Sequence, residues 1–347
     1  MKLRSRPLGQ ARNLFLALLA IAFFQLEAAR ASEALAAAGL DSYLSQLGYE
    51  RVAFKKNERN EPLLETEIKA RPHVLLADTG CGLTTLTPAS AAGLKTLGEL
   101  GVTLNDNFLG RITNSSIALI DRLAIGRTQF LNQPARVRKL DMDYIRLQFD
   151  GVLGLDFFFR NFCVIDCYRR ELFVCGARPS EKQCAAMRES LRRSGFLEAP
   201  LEAKRFLSVS ANINSQPVRL LVDTGDGLSA LDESQAARLH LAPVKWEDPE
   251  RGSLIRQDVT GNLVGLNQIG SHKVWVTMLN SFQVGSKVSK NISYGVANLK
   301  GWGISKPGSS EADLQGILGN DLLRGHGAVI DFCNLKLWLR PQKARSN

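Results

Sequence analysis

Two aspartates stand in matching local settings. Asp78-Thr79-Gly80 follows the apolar run Val74-Leu75-Leu76-Ala77, and Asp223-Thr224-Gly225 follows Leu220-Leu221-Val222. In both places a second apolar stretch begins at once, ending at Leu86 and Leu231. A short β-prone run that breaks at glycine reads as a buried strand delivering a carboxylate to a tight turn. Gly80 and Gly225 let such a turn be sharp and closely approached. Two carboxylates held together cannot both ionise easily, so they share one proton. The ionised member can take a proton from water while the protonated one donates to a carbonyl. That division of labour suits hydrolysis of an amide between two lobes. It calls for no metal and no other cofactor.

The elements that must position these turns are themselves repeated. Thr79 and Thr224 lie 145 residues apart, and the same spacing aligns Thr87 to Leu94 with Asp232 to Leu239. Thr87 and Asp232 are good N-cap residues, and Pro88 fits a first helical position, so each half is expected to run strand, turn, strand, short helix. A second block follows. Gly151-Val152-Leu153-Gly154-Leu155-Asp156 matches Gly316-Ile317-Leu318-Gly319-Asn320-Asp321, and Cys163 to Asp166 matches Ala328 to Asp331. The spacing here is longer, so the second half carries extra residues, expected within Gly265 to Ser310. Two ordered, collinear blocks imply internal duplication.

Asp-Thr-Gly after an apolar strand, with an Ile-Leu-Gly-x-Asp type block downstream, resembles the aspartic protease superfamily. The likeness is nearest to retropepsin-like bacterial aspartyl proteases, with two copies in one chain as in pepsin-like enzymes. It covers nearly all of the chain beyond the leader. The resemblance implies a mostly β, bilobal acid protease fold, two barrel-like lobes with short helices. It implies Asp78 and Asp223 as the catalytic pair of an endopeptidase acting on protein or peptide substrates. Thr79 and Thr224 are implied to brace the loops across an axis, and Gly80 and Gly225 to hold the turns. Leu153-Gly154 and Leu318-Gly319 are implied to support each loop from behind. The chain departs from the family where Ser, Thr or Ala usually follows the triplet: Cys81 and Asp226 stand there. No flap aromatic can be placed. Two other readings use the same residues, a non-cleaving peptide-binding or inhibitory protein, and lobes that pair with another copy of the chain.

The remaining features bound the setting. Lys2, Arg4, Arg6 and Arg12 precede an apolar run from Leu14 to Phe24, and Ala29-Arg30-Ala31 offers small residues for cleavage. Residues 1–31 therefore read as a signal peptide, too short in its apolar part to span a bilayer comfortably. Periplasmic or secreted location is expected, without stable membrane insertion once the leader is cleaved. The net charge of +10 becomes +6 when the leader's five basic residues and Glu27 are removed. No basic run is interleaved with aromatics, which argues against nucleic acid as a partner. A lead-in over 32–47 is expected, then a first lobe over 48–178, a helical connector over 179–197 and a second lobe over 198–342, forming a monomer. Ser180 and Gln183 spell a capping box for the connector. Asn105 to Asn114 is expected to form a hairpin over the first turn. Six cysteines in an exported chain permit disulfides, expected among Cys163, Cys167 and Cys175, with buried thiols as the other reading.

Overall fold

The computed structural model describes residues 40–55, 61–100, 105–106, 110–111, 115–140, 149–204, 206–244, 275–299 and 314–341. The leader expected over 1–31 lies outside them. What the chain builds is mostly strand, in two barrel-like sheets of one plan.

In the first lobe the strand order is Leu63–Ile68, Arg71–Ala77, Gly151–Leu153, Thr85–Leu86, Thr128–Val137, Ser115–Ile125, Lys95–Leu100. The sheet closes on itself where Leu63–Ile68 pairs antiparallel with Ser115–Ile125, Thr66 opposite Ile125. The second lobe repeats this order with Leu207–Ile213, Gln216–Val222, Gly316–Leu318, Ala230–Asp232, Lys287–Ala297 and Trp275–Val284. It closes through Leu207–Ile213 on Trp275–Val284, Ala211 opposite Val284. The alternating burial of Leu207–Ile213 matches the period of a strand with one face on the core. The duplication reaches further upstream than the sequence blocks show. Each lobe begins with a hairpin turning on two residues of positive φ, Lys69 and Ala70 at 51° and 61°, Asn214 and Ser215 at 49° and 66°. Those values fit a two-residue hairpin turn, whose twist matches that of the strands it joins.

A third layer joins the lobes. Tyr49–Ala53, Glu171–Cys175, Val164–Asp166, Ala328–Asp331, Lys336–Leu339 and Leu197–Ala203 form consecutive antiparallel strands. The two halves meet at its centre, where Val164 lies opposite Asp331 and Ile165 opposite Ile330. Both central strands are fully buried, as is Trp338 behind them. Their aspartates are buried too, and each is satisfied. Asp166 accepts from Arg340 Nη2 at 2.5 Å. Asp331 accepts from Trp338 Nε1 at 3.2 Å and from Asn334 Nδ2 at 2.8 Å.

Two expectations need correction. The first-lobe segment from Thr87 to Leu94 is a set of turns and not a helix. Thr87 Oγ1 accepts from Ser90 N at 3.2 Å, and the Ser90 hydroxyl reaches Asp150. Side-chain bonds of this kind compete with a helix ladder. In the second lobe Asp232 does cap a helix, Glu233–Arg238. The disulfide is also elsewhere: it joins Cys184 to Cys333, while Cys163, Cys167 and Cys175 are buried free thiols. The ladder explains why the expected hairpin pair does not form. Val164 lies opposite Phe173, so Cys163 and Cys175 are out of register, and Cys175 faces Tyr49 on its other side.

Cys184 sits in the helix Glu181–Arg193, whose start carries the capping box between Ser180 and Gln183. The bond therefore ties that helix to the turn after Ala328–Asp331. Of the hairpin expected over Asn105 to Asn114, Asn105–Asp106 pairs antiparallel with Gly110–Arg111. The rest of that segment lies outside the described residues.

Candidate active site

Each aspartate sits at the end of a central strand because its neighbours leave it nowhere else to go. Arg71–Ala77 pairs parallel with Gly151–Leu153, which pairs antiparallel with Thr85–Leu86. The chain leaves the first strand at Ala77, passes through the turn and returns two strands away. Gln216–Val222, Gly316–Leu318 and Ala230–Asp232 repeat this. Asp78 N donates to Leu153 O at 3.0 Å, and Asp223 N donates to Leu318 O at 3.1 Å. Behind each turn Gly154 and Gly319 lie so close to the backbone at Leu83 and Leu228 that a Cβ would overlap it.

The two turns meet. Thr79 N donates to Thr224 Oγ1 at 3.1 Å, and Thr224 N donates to Thr79 Oγ1 at 3.1 Å. Each hydroxyl donates onward into the other lobe, Thr79 Oγ1 to Val222 O at 2.8 Å and Thr224 Oγ1 to Ala77 O at 2.7 Å. Both threonines are buried, so these four bonds are made away from water, each contributing about 1 kcal/mol. Their reciprocity is a local two-fold axis written in hydrogen bonds.

On that axis the carboxyls of Asp78 and Asp223 face each other, each packed against the glycine of the opposite turn. Asp78 Oδ1 accepts from Gly80 N at 2.8 Å and from Cys81 N at 3.2 Å. Asp223 Oδ1 accepts from Gly225 N at 2.9 Å and from Asp226 N at 3.0 Å. The glycines are required by what lies opposite: a Cβ on Gly80 would overlap the Asp223 carboxylate, and one on Gly225 would overlap that of Asp78. Burial pushes both carboxyls above their ordinary range, and the charge of Asp223 adds to the rise at Asp78. Two carboxyls placed in this way titrate as one coupled pair that shares a proton.

Residues 209–322 match the family described as aspartyl protease. That span holds the second turn and its supporting block, and the first lobe repeats both. The match makes the second lobe similar to aspartyl proteases. An aspartic proteinase from Irpex lacteus is similar over 86% of this chain and 100% of its own, at 14% identity and a TM-score of 0.49. No curated protein matches.

Within this fold the sequence-expected residues Asp78, Thr79, Gly80, Asp223, Thr224 and Gly225 are brought together at one point. Leu153, Gly154, Leu318 and Gly319 lie directly behind them. Sequence reasoning missed the residues that fix those supports. Thr84 N and Oγ1 donate to Asp156 Oδ1 at 2.7 and 2.8 Å, and Gly154 N donates to Thr84 Oγ1 at 3.2 Å. Ser229 N and Oγ donate to Asp321 Oδ1 at 2.9 and 2.6 Å, and Gly319 N donates to Ser229 Oγ at 2.9 Å. Asp156 and Asp321 close the repeated block, which was the available signal.

The two departures from the family take different forms. The Cys81 thiol turns from the pair and donates to Leu83 O at 3.2 Å. Asp226 Oδ1 accepts from Leu228 N at 3.1 Å. Burial and the charge of Asp223 push the Asp226 carboxyl well above its ordinary range, which couples it to the pair.

These buried acids set a pH dependence of stability. Burial raises Asp78, Asp223, Asp226, Asp166, Asp321 and Asp331 alike. A carboxyl whose folded pKa is raised stabilises the fold below its unfolded value, 3.8, and that contribution is lost as pH rises through the folded value. His326 opposes this, because burial beside Lys287 pushes its imidazole down to about 4 and costs stability as pH falls from 6.5. Asp41, Glu50 and Glu198 are lowered instead, but their contribution is complete above their ordinary values of 3.8 and 4.5, so the raised acids set the trend beyond that. Unfolding free energy is expected to fall as pH rises from 4 toward 8, which denaturant titrations across that range will measure. A flat or rising curve would contradict it.

Proposed function

We propose that the chain is an aspartic endopeptidase that hydrolyses peptide bonds in a cleft between its lobes. The ionised member of the Asp78–Asp223 pair takes a proton from an attacking water. The member that holds the shared proton donates to the substrate carbonyl oxygen as the tetrahedral intermediate forms. No bond to the protein is made. The backbone N–H groups at Gly80, Cys81, Gly225 and Asp226 fix both carboxylates, so little reorganisation accompanies the proton transfers. The observation that carries this reading is the pair of buried carboxyls, each against the opposite turn's glycine, on the axis of the threonine brace. Protein or peptide is the substrate class, and a monomer contains everything the reaction uses. Location in the periplasm or outside the cell is part of the same proposal; the Cys184–Cys333 bond fits such a compartment.

The test is cleavage of a mixed peptide library by purified protein between pH 2 and 8. A bell-shaped profile, falling at high pH as the pair loses its last proton, is expected. Protein that is folded but inert at every pH would favour the binding role. Asp226→Ala refines the test. Removing a carboxyl whose charge couples to Asp223 is expected to lower the apparent pKa of the basic limb, moving the profile toward acid. An unchanged profile would show that Asp226 does not reach the pair.

A further inference from the structure

The duplication shows where the two paired turns differ. Cys81 and Asp226 hold the same place, each next to the glycine that faces the opposite carboxyl. Their backbones act alike. Cys81 N donates to Asp78 Oδ1 at 3.2 Å, and Asp226 N donates to Asp223 Oδ1 at 3.0 Å. Cys81 O accepts from Leu155 N and Asp226 O from Asn320 N, both at 2.8 Å. The side chains differ. The Cys81 thiol is buried and donates to Leu83 O. Asp226 is only half-buried, and its Oδ1 accepts from Leu228 N at 3.1 Å. Its Oδ2 accepts no hydrogen bond within the protein and is not sealed from the surface.

Cutting a peptide bond needs two carboxyls, so the mechanism leaves this third one over. The charges that act on it are those of Asp223 and Asp321, and the charge that acts on Asp78 is that of Asp223. Among the described residues no lysine, arginine or histidine pairs with any of these acids. Other acids of the fold are answered, Asp166 by Arg340 and Glu171 by Arg51. A carboxylate partly withdrawn from water with no counter-ion is costly, and a cation brought by a ligand removes that cost. A peptide whose carbonyl meets Asp78 and Asp223 places the neighbouring side chains about one strand step away on either side. Asp226 stands within that reach, since its own N–H holds the Asp223 carboxyl.

We propose that Asp226 is a specificity-determining residue, whose Oδ2 pairs with a lysine or arginine side chain of the substrate beside the scissile bond. This rests on the endopeptidase reading and adds which peptides that site selects. The preference is one-sided, because the matching place in the first lobe holds a thiol turned away from the pair. A neutral side chain of the same length would leave Oδ2 without a partner.

The experiment uses the full chain and peptides that differ at one residue, arginine or its uncharged counterpart citrulline. Arginine is placed in turn at each of the two positions on either side of a cleaved bond. At one of them it is expected to exceed citrulline in kcat/KM by at least about tenfold. Asp226→Asn keeps an acceptor for Leu228 N and is expected to bring that ratio close to one. Both peptides meet the same pair of aspartates, so a shift in the pair's own titration leaves the ratio unmoved. Equal rates for the arginine and citrulline peptides at every position overturn the inference while the endopeptidase reading stands. So does a ratio that survives in folded Asp226→Asn; if that variant does not fold, the peptide series on the unaltered chain decides. If no peptide is cleaved, the endopeptidase reading fails by itself. The same series is then made with an uncleavable ketomethylene in place of the amide and measured by calorimetry. Binding at least about tenfold tighter with arginine supports the role of Asp226, and equal or absent binding overturns it.

Discussion

Asp78→Asn and Asp223→Asn are each expected to reduce peptide hydrolysis by at least about 10⁴-fold while leaving the protein folded. The amide keeps the size of the carboxylate and an oxygen to accept from Gly80 N and Cys81 N, or from Gly225 N and Asp226 N. What it lacks is a transferable proton and a basic oxygen. Each aspartate has its own half of the proton traffic, so neither can cover for the other. Turnover should be measured beside the unfolding curve of each variant. A folded Asn variant that keeps about a hundredth or more of the original rate would dismiss the shared-proton mechanism.

Breaking the Cys184–Cys333 bond is expected to cost about 2–5 kcal/mol of stability. The bond spans 149 residues, so its loss frees a long loop in the unfolded chain. In the folded state the same bond fastens the helix Glu181–Arg193 to the shared sheet, where Asn334 Nδ2 also donates to Cys184 O at 3.0 Å. Cys184→Ser, Cys333→Ser and the double variant should share one lowered denaturation midpoint, because any of them removes the whole bond. Reducing agent should bring the unaltered protein to that value and leave the variants unmoved. If reduction changes nothing, the bond contributes little.

Much of the site is legible in the sequence because it depends on backbone geometry that few residues allow. Gly80 and Gly225 are forced by the opposing carboxylate, and Gly154 and Gly319 by the backbone behind each turn. Constraints of that kind leave the same letters in both halves, so the repeat exposes them. The sheet that joins the lobes is harder to see. Val164–Asp166 and Ala328–Asp331 read as short buried strands, but nothing in either says that its neighbour is the other. The disulfide was missed for the same reason, since Cys184 and Cys333 are neighbours only through that sheet. The first-lobe helix was over-read from Thr87-Pro88. A cap and a proline mark where a helix can start, and the hydroxyls of Thr87 and Ser90 then bond locally and stop it. Asp226 stands out as a departure, but the upward push on its carboxyl follows from burial, which the sequence does not display.

The shared sheet also dictates an order of events during synthesis. Val164–Asp166 leaves the ribosome long before Ala328–Asp331, the strand that completes its pairing. At about 5–20 residues per second that gap lasts roughly 8–30 s. The first barrel can close in the meantime, because Leu63–Ile68 already has Ser115–Ile125 to pair with. Its floor cannot. One edge of Val164–Asp166 stays bare, apolar and open to strands of other nascent chains, which is the condition under which sheets join wrongly. A chain cut short before Ala328 would keep a closed first barrel and yet carry that edge permanently.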